Sequence, residues 1–179
     1  MDGDHIDIIG LDWALRYDGS KETKKIQQED IPYVNPRFIA PESFHYRSSD
    51  KESEHTSDDS ERVWDGFRDD LWATGLVLYS MVVGTDALFT APIAGDKIFT
   101  RLCIRGDIRG EAKRFGKRLG KDYSNLLSDD LVDLLQSMLN GDPKKRSVLE
   151  EVMKHPWVTN DDDPVMTPTK YTDSHQINL

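Results

Sequence analysis

The sequence predicts a mainly helical domain with one short strand or hairpin at its N-terminus. Three apolar patterns carry that prediction. Leu71, Trp72, Gly75, Leu76, Tyr79, Val82 and Val83 recur at spacings of three and four, the period of an α-helix. Leu131, Leu134, Leu135, Met138 and Leu139 form a second, narrower stripe of the same period. Only His5-Ile-Asp-Ile-Ile9 alternates with β-branched residues in the manner of a strand.

In chain order, the strand is followed by a polar stretch, residues 17–35, with no period, which predicts loop. Residues 46–62 are dominated by Ser, Asp, Glu and Lys. They offer too little apolar surface to offset the entropy of ordering, so a disordered insertion is expected there. The helix that begins near Arg68 is apolar on most sides, which argues for a central position. Gly84 stands where a left-handed stop belongs. A second helix is expected over 96–105, turning Ile98, Leu102 and Cys103 inward. The third has Ser128 as N-cap, with Asp129 and Asp130 at the positive end of the helix dipole. The fourth opens on Ser147 and Glu150, spaced as a capping box, and stops before Pro156. The tail, 159–179, is polar and acidic without a period.

Composition narrows the function classes. A chain of 179 residues, 37% apolar and 31% charged, supports a single core beside solvated segments. The lone Cys103 excludes an intrachain disulfide and fits a reducing compartment. The N-terminus lacks the basic and apolar regions of a secretory signal. The longest apolar run, 71–83, falls short of the ~20 residues a bilayer needs. An intracellular, cytoplasmic protein without membrane attachment is therefore expected. A net charge of −10 disfavours nucleic-acid binding. Residues 101–121 run against that average, with eight Lys or Arg against Asp107 and Glu111. Such a stretch is either a solvated face or a docking surface for an acidic partner.

Four short motifs then occur in one order: Ile39-Ala-Pro-Glu42, Asp70-Leu-Trp-Ala-Thr-Gly75, Gly141-Asp-Pro-Lys-Lys-Arg146 and His155-Pro-Trp157. Together they resemble the C-terminal, helical lobe of a eukaryotic Ser/Thr protein kinase, over about residues 1–158. The resemblance implies that Glu42 pairs with a buried arginine, that Arg146 is that arginine, and that Asp70 begins the central helix and accepts backbone amides of the catalytic loop. All three would be scaffold. His155 is expected to be structural, since no second metal ligand is suitably spaced.

The resemblance also implies a substrate protein or a scaffold partner, and ATP and Mg²⁺ as cofactors of a complete domain. The groups that handle them are largely missing. The chain has no glycine-rich loop, no Val-Ala-Ile-Lys-like strand and no His-Arg-Asp loop, so catalytic and nucleotide-binding residues are expected to be none. The Asp-Phe-Gly motif has two registers here. One places Gly10-Leu11-Asp12 on it, which fits the strand length and Ala14 but leaves no carboxylate for the metal. The other reads Asp12-Trp13-Ala14 and keeps Asp12 as a magnesium ligand. An activation segment would occupy about residues 12–42, with Asn35 standing where many such kinases carry threonine. The expected function is part of a protein kinase domain, inactive as this isolated chain; the alternative is a pseudokinase-type scaffold.

Overall fold

The computed structural model describes residues 35–48, 65–85 and 88–160, and within them the side chains of 45–48 and 124 are not described. The expected strand, Asp12, nearly all of the 17–35 loop and nearly all of the tail lie outside these residues. So does most of the 46–62 segment, although its first three residues belong to a helix. Among the described residues the architecture is wholly helical.

A 3-10 turn, Pro36–Phe38, is capped by Asn35, whose side chain accepts from the Arg37 N–H at 3.2 Å. Helix α1 follows at Pro41–Ser48, its proline at the first position, where no amide is missed. The 18-residue α2 spans Gly66–Val83. Asp65 caps its N-terminus by accepting from the amides of Phe67 and Arg68, and Gly84, at φ 66°, closes it in the left-handed conformation. The expectation that Asp70 begins this helix is corrected by five residues. Asp65-Gly66 supplies the cap, and Asp70 sits in the second turn.

Helix α3, Lys97–Phe99, runs directly into a π turn, Thr100–Ile104, so the expected 96–105 helix exists but is not uniformly α. The Arg105 N–H reaches Thr100 O at 3.0 Å, while the carbonyl of Cys103 accepts from Gly141 N–H at 3.0 Å. Ile98, expected inside, is only half-buried, and Phe99 takes the buried place beside Leu102 and Cys103. Helix α4, Ile108–Arg118, starts at Asp107 and carries most of the basic stretch. After a 3-10 turn, Ser124–Leu126, α5 covers Asp129–Met138 under the Ser128 cap, with its whole apolar stripe buried.

The last two helices are single turns, α6 at Leu149–Val152 and α7 at Pro156–Thr159. The expected box of Ser147 and Glu150 does not form; only its reciprocal half is made, one residue later, on an N-cap whose side chain cannot accept. Val148 is the N-cap, Glu151 accepts from its amide at 3.0 Å, and the Ser147 N–H goes to Ser137 O instead. His155 caps α7, its Nδ1 accepting from the Trp157 N–H at 3.2 Å. Nε2 therefore carries the proton and donates to Asp133 Oδ2, also at 3.2 Å.

The core gathers on α2. Trp72, Leu76, Tyr79 and Val83 face Leu131 and Leu135 of α5 and its C-cap Leu139, with Phe89, Phe99 and Leu102 closing the other side. Trp72, Phe89 and Phe99 pack with ring centroids 5.4–6.4 Å apart. Gly75 makes the α2–α5 approach close: a Cβ there would stand 2.9 Å from Leu139 Cδ2. Leu71, Leu134 and Met138 form a second cluster against Val152 and Trp157, which holds α6 and α7 to the bundle.

Candidate functional site

The sharpest polar constellation joins α1, α2 and the turn after α5. Asp142-Pro143 builds that turn: Asp142 Oδ1 accepts from the Lys144 N–H, and Asp142 O accepts from the amides of Lys145 and Arg146. The turn aims Arg146 inward, where its side chain is fully buried. Its Nη1 and Nη2 donate to the two carboxylate oxygens of Glu42 at 2.7 and 2.9 Å, a two-pronged pair across 104 positions of sequence. Further donations reach Asn140 O at 3.1 and 3.2 Å and Arg68 O at 3.4 Å. The guanidinium carbon also lies 4.8 Å from the centre of the Trp72 ring.

Two neighbours lock this junction that the motifs alone did not reveal. Arg68 donates to the carbonyls of Pro143 and Arg146, tying the start of α2 to the same turn. Ser43 Oγ lies 2.8 and 2.9 Å from the Asp69 carboxylate, tying α1 to α2. Their signal in the sequence was adjacency: Ser43 follows Glu42, and Arg68-Asp69 precede Asp70.

Asp70 does not join the constellation. It stands on the exposed side of α2, and among the described residues nothing donates to its carboxylate; only its backbone carbonyl is used, by Thr74 Oγ1 at 2.7 Å. Partial burial without a donor pushes its carboxyl above the usual carboxylate range. Asp12 lies outside the described residues. Among those described, no three His, Cys, Asp or Glu side chains are grouped as a metal site. Burial pushes the Cys103 thiol far up, and it is not a nucleophile candidate.

The basic stretch resolves into paired and unpaired cations. Arg101 grips the buried Glu111 through Nε and Nη2 at 2.5 and 3.1 Å, and Arg114 reaches both Glu111 and Asp107. Arg109 holds Asp129 and the carbonyl of Leu127, stapling α4 to α5. Arg105, Lys113, Lys117, Arg118 and Lys121 make no ion pair among the described residues, and all five are exposed. Two surface pockets flank this region. The larger, about 460 Å³, lies beside the junction, between Pro41 and Glu42, Phe99 and Cys103, and Asp142 and Lys145. The smaller, about 190 Å³, opens among Lys97, Arg101 and Arg105.

A long central helix, an acid–arginine pair locking a preceding helix to a following turn, and three helices at the end of the described residues together define a helical lobe of the protein kinase type. The chain belongs to the protein kinase domain family, whose model matches residues 17–158. It is 32% identical over 163 residues to human "Ribosomal protein S6 kinase alpha-1", covering 88% of this chain and 19% of that one. It is 29% identical over 140 residues to "Probable serine/threonine-protein kinase fhkA" of Dictyostelium discoideum, covering 70% and 21%. It is 30% identical over 99 residues to "Calcium-dependent protein kinase 2" of rice, covering 55% and 17%. The chain thus spans about a fifth of the length of these relatives. No described helix is long and apolar enough to cross a membrane.

Proposed function

We propose that this chain is the C-terminal part of a protein kinase domain, of the class that transfers the ATP γ-phosphate to Ser or Thr of a protein, and that as an isolated chain it does not transfer phosphate. One observation carries the reading. Glu42 of Ala40-Pro41-Glu42 meets the buried Arg146 in a two-pronged pair, which supports residues 12–42 as an activation segment anchored at its end. The inactivity follows from sequence: the parts that cover, align and ligate ATP-Mg²⁺ in this family are not among these 179 residues.

The second reading is a noncatalytic scaffold. It is favoured by Gly10 in the metal-ligand register, which offers no carboxylate to the metal. In both readings the partner is a protein, and the exposed cations of 101–121 make an acidic one the natural choice. ATP and Mg²⁺ would supply the phosphoryl group and its charge neutralisation in a complete domain; Asp12 is the one carboxylate of this chain offered to the metal, and only in the second register.

Thermal unfolding with and without Mg²⁺-ATP tests the inactivity. The expected result is no change in Tm, because a ligand that does not bind the native state cannot stabilise it. A rise of several degrees, abolished by Asp12→Ala, would overturn the proposal and select the second register. A His-Arg-Asp loop encoded just upstream of Met1 would favour the catalytic reading over the scaffold.

A further inference from the structure

The smaller pocket has a composition that the ion pairs around it do not explain. Lys97, Arg101 and Arg105 line it, each four residues after the last, with Ala94 and Thr100 completing its wall. No carboxylate lines it. Lys97 and Arg105 make no ion pair among the described residues, and the Nε and Nη2 of Arg101 point to Glu111. Arg114 shares that buried carboxylate and also holds Asp107, so these two guanidiniums are balanced by two carboxylates, and the unpaired charge is that of Lys97 and Arg105. A positive surplus therefore stands in one small concavity of a chain whose net charge is −10.

The backbone beneath is built to keep the three in a row. A four-residue step overshoots one turn of an α-helix and undershoots the wider π turn, so α3 followed by the π turn brings Lys97 and Arg105 back onto one line. The wall is fixed as well: Thr100 Oγ1 donates to Ala94 O at 2.8 Å, and Asp96, the cap of α3, accepts from the Thr90 N–H at 2.9 Å. π turns are uncommon and recur at functional sites.

Size and charge select the occupant. A volume of about 190 Å³ admits one anionic side-chain head, not a nucleotide or a helix. A long polyanion such as nucleic acid would meet the repulsion of the acidic remainder of the chain. We propose that the Lys97–Arg101–Arg105 pocket is a docking site for an acidic segment of a protein partner, one carboxylate or phosphoryl group of which seats among the three cations. This rests on the reading of the chain as a protein-binding kinase lobe. Its test uses no nucleotide, so its failure is distinguishable from failure of the phosphotransfer reading.

The measurement is fluorescence anisotropy of the full 179-residue chain with three labelled peptides: one rich in Asp and Glu, its Asn/Gln counterpart, and the acidic peptide with a central phosphoserine. At low salt the acidic peptides should bind and the neutral one should not. Lys97→Gln with Arg105→Gln, which leaves the Arg101–Glu111 pair intact, should weaken binding about tenfold or more. Lys117→Gln with Arg118→Gln removes the same charge at the far end of α4 and should weaken it less than about threefold. Circular dichroism would establish that both variants are folded. Tighter binding of the phosphoserine peptide would assign the seat to a phosphoryl group, and equal binding to a carboxylate; either supports the site. Equal losses in the two variants, equal binding of the neutral peptide, or no binding of either acidic peptide would overturn it.

Discussion

At the scale of single residues, the Glu42–Arg146 pair is asymmetric, and the asymmetry decides its energetics. The Arg146 side chain has no solvent access, whereas that of Glu42 is 31% exposed. Removing the acid leaves a buried guanidinium with only carbonyls and the Trp72 face as partners, which is the costly direction. Glu42→Gln should therefore destabilise by about 3 kcal/mol, the lower end of the range for broken buried pairs, since the lost partner was partly hydrated. Urea unfolding would register this as a lower midpoint with an unchanged slope. Lys145→Gln, an exposed charge in the same turn, should stay within about 0.5 kcal/mol of the parent. If the two variants lose the same amount, the pair does not anchor α1 to the turn. This contact was legible only through resemblance, because no local pattern links residues 104 positions apart. The partners Arg68 and Asp69 were not legible, since one is read by carbonyls and the other by a serine, and neither preference shows in composition.

At the scale of elements, legibility followed the apolar stripes. Helices α2 and α5 were readable because large apolar residues mark their buried faces, and Ser128 and Gly84 mark ends that the structure uses. The start of α2, expected near Arg68, lies two residues earlier, because its cap, Asp65, precedes residues with no apolar stripe, and Asp70 of the family motif falls in the second turn. Helix α4 was merged into a basic stretch, since much of its buried face is small or charged: Ala112, Gly116 and Glu111 beside Ile108. The π turn was invisible, because shifting the hydrogen bond by one residue leaves no mark on composition. The α2–α5 contact offers a direct test. Gly75→Ala improves helix propensity by about 1 kcal/mol but drives a methyl against Leu139 Cδ2 and Met138 Cβ, at 2.9 and 3.1 Å. Overpacking of this kind costs roughly 1–3 kcal/mol, so a net loss near 1 kcal/mol is expected. In a Leu139→Ala background both Leu139 contacts are gone and only Met138 Cβ at 3.1 Å remains, so the loss caused by Gly75→Ala should shrink markedly. Additive losses in that double-mutant cycle would show that the close approach is not what requires glycine.

At the scale of the whole molecule, the central helix is central on one side only. Trp72, Leu76, Tyr79 and Val83 are buried, yet Phe67, Val77 and Met81 are 56%, 46% and 69% exposed. Those three, with Asp70 and Thr74 between them, follow the three-and-four spacing of a single helical face. The sequence had announced a helix apolar nearly all round, the pattern of an element covered on every side. Among the described residues only one flank is covered. Apolar area of this kind favours association when it is contiguous over a few hundred Å². The chain should therefore bind a hydrophobic dye while folded and elute above monomer size at tens of micromolar. Val77→Lys with Met81→Lys, one turn apart on that face, should suppress both signals while changing stability by little, since surface substitutions stay within about 0.5 kcal/mol each. Suppression without loss of helix would locate the sticky surface on α2. A parent chain that is monomeric and dark to the dye would mean that the face is covered, and the central helix is then enclosed after all.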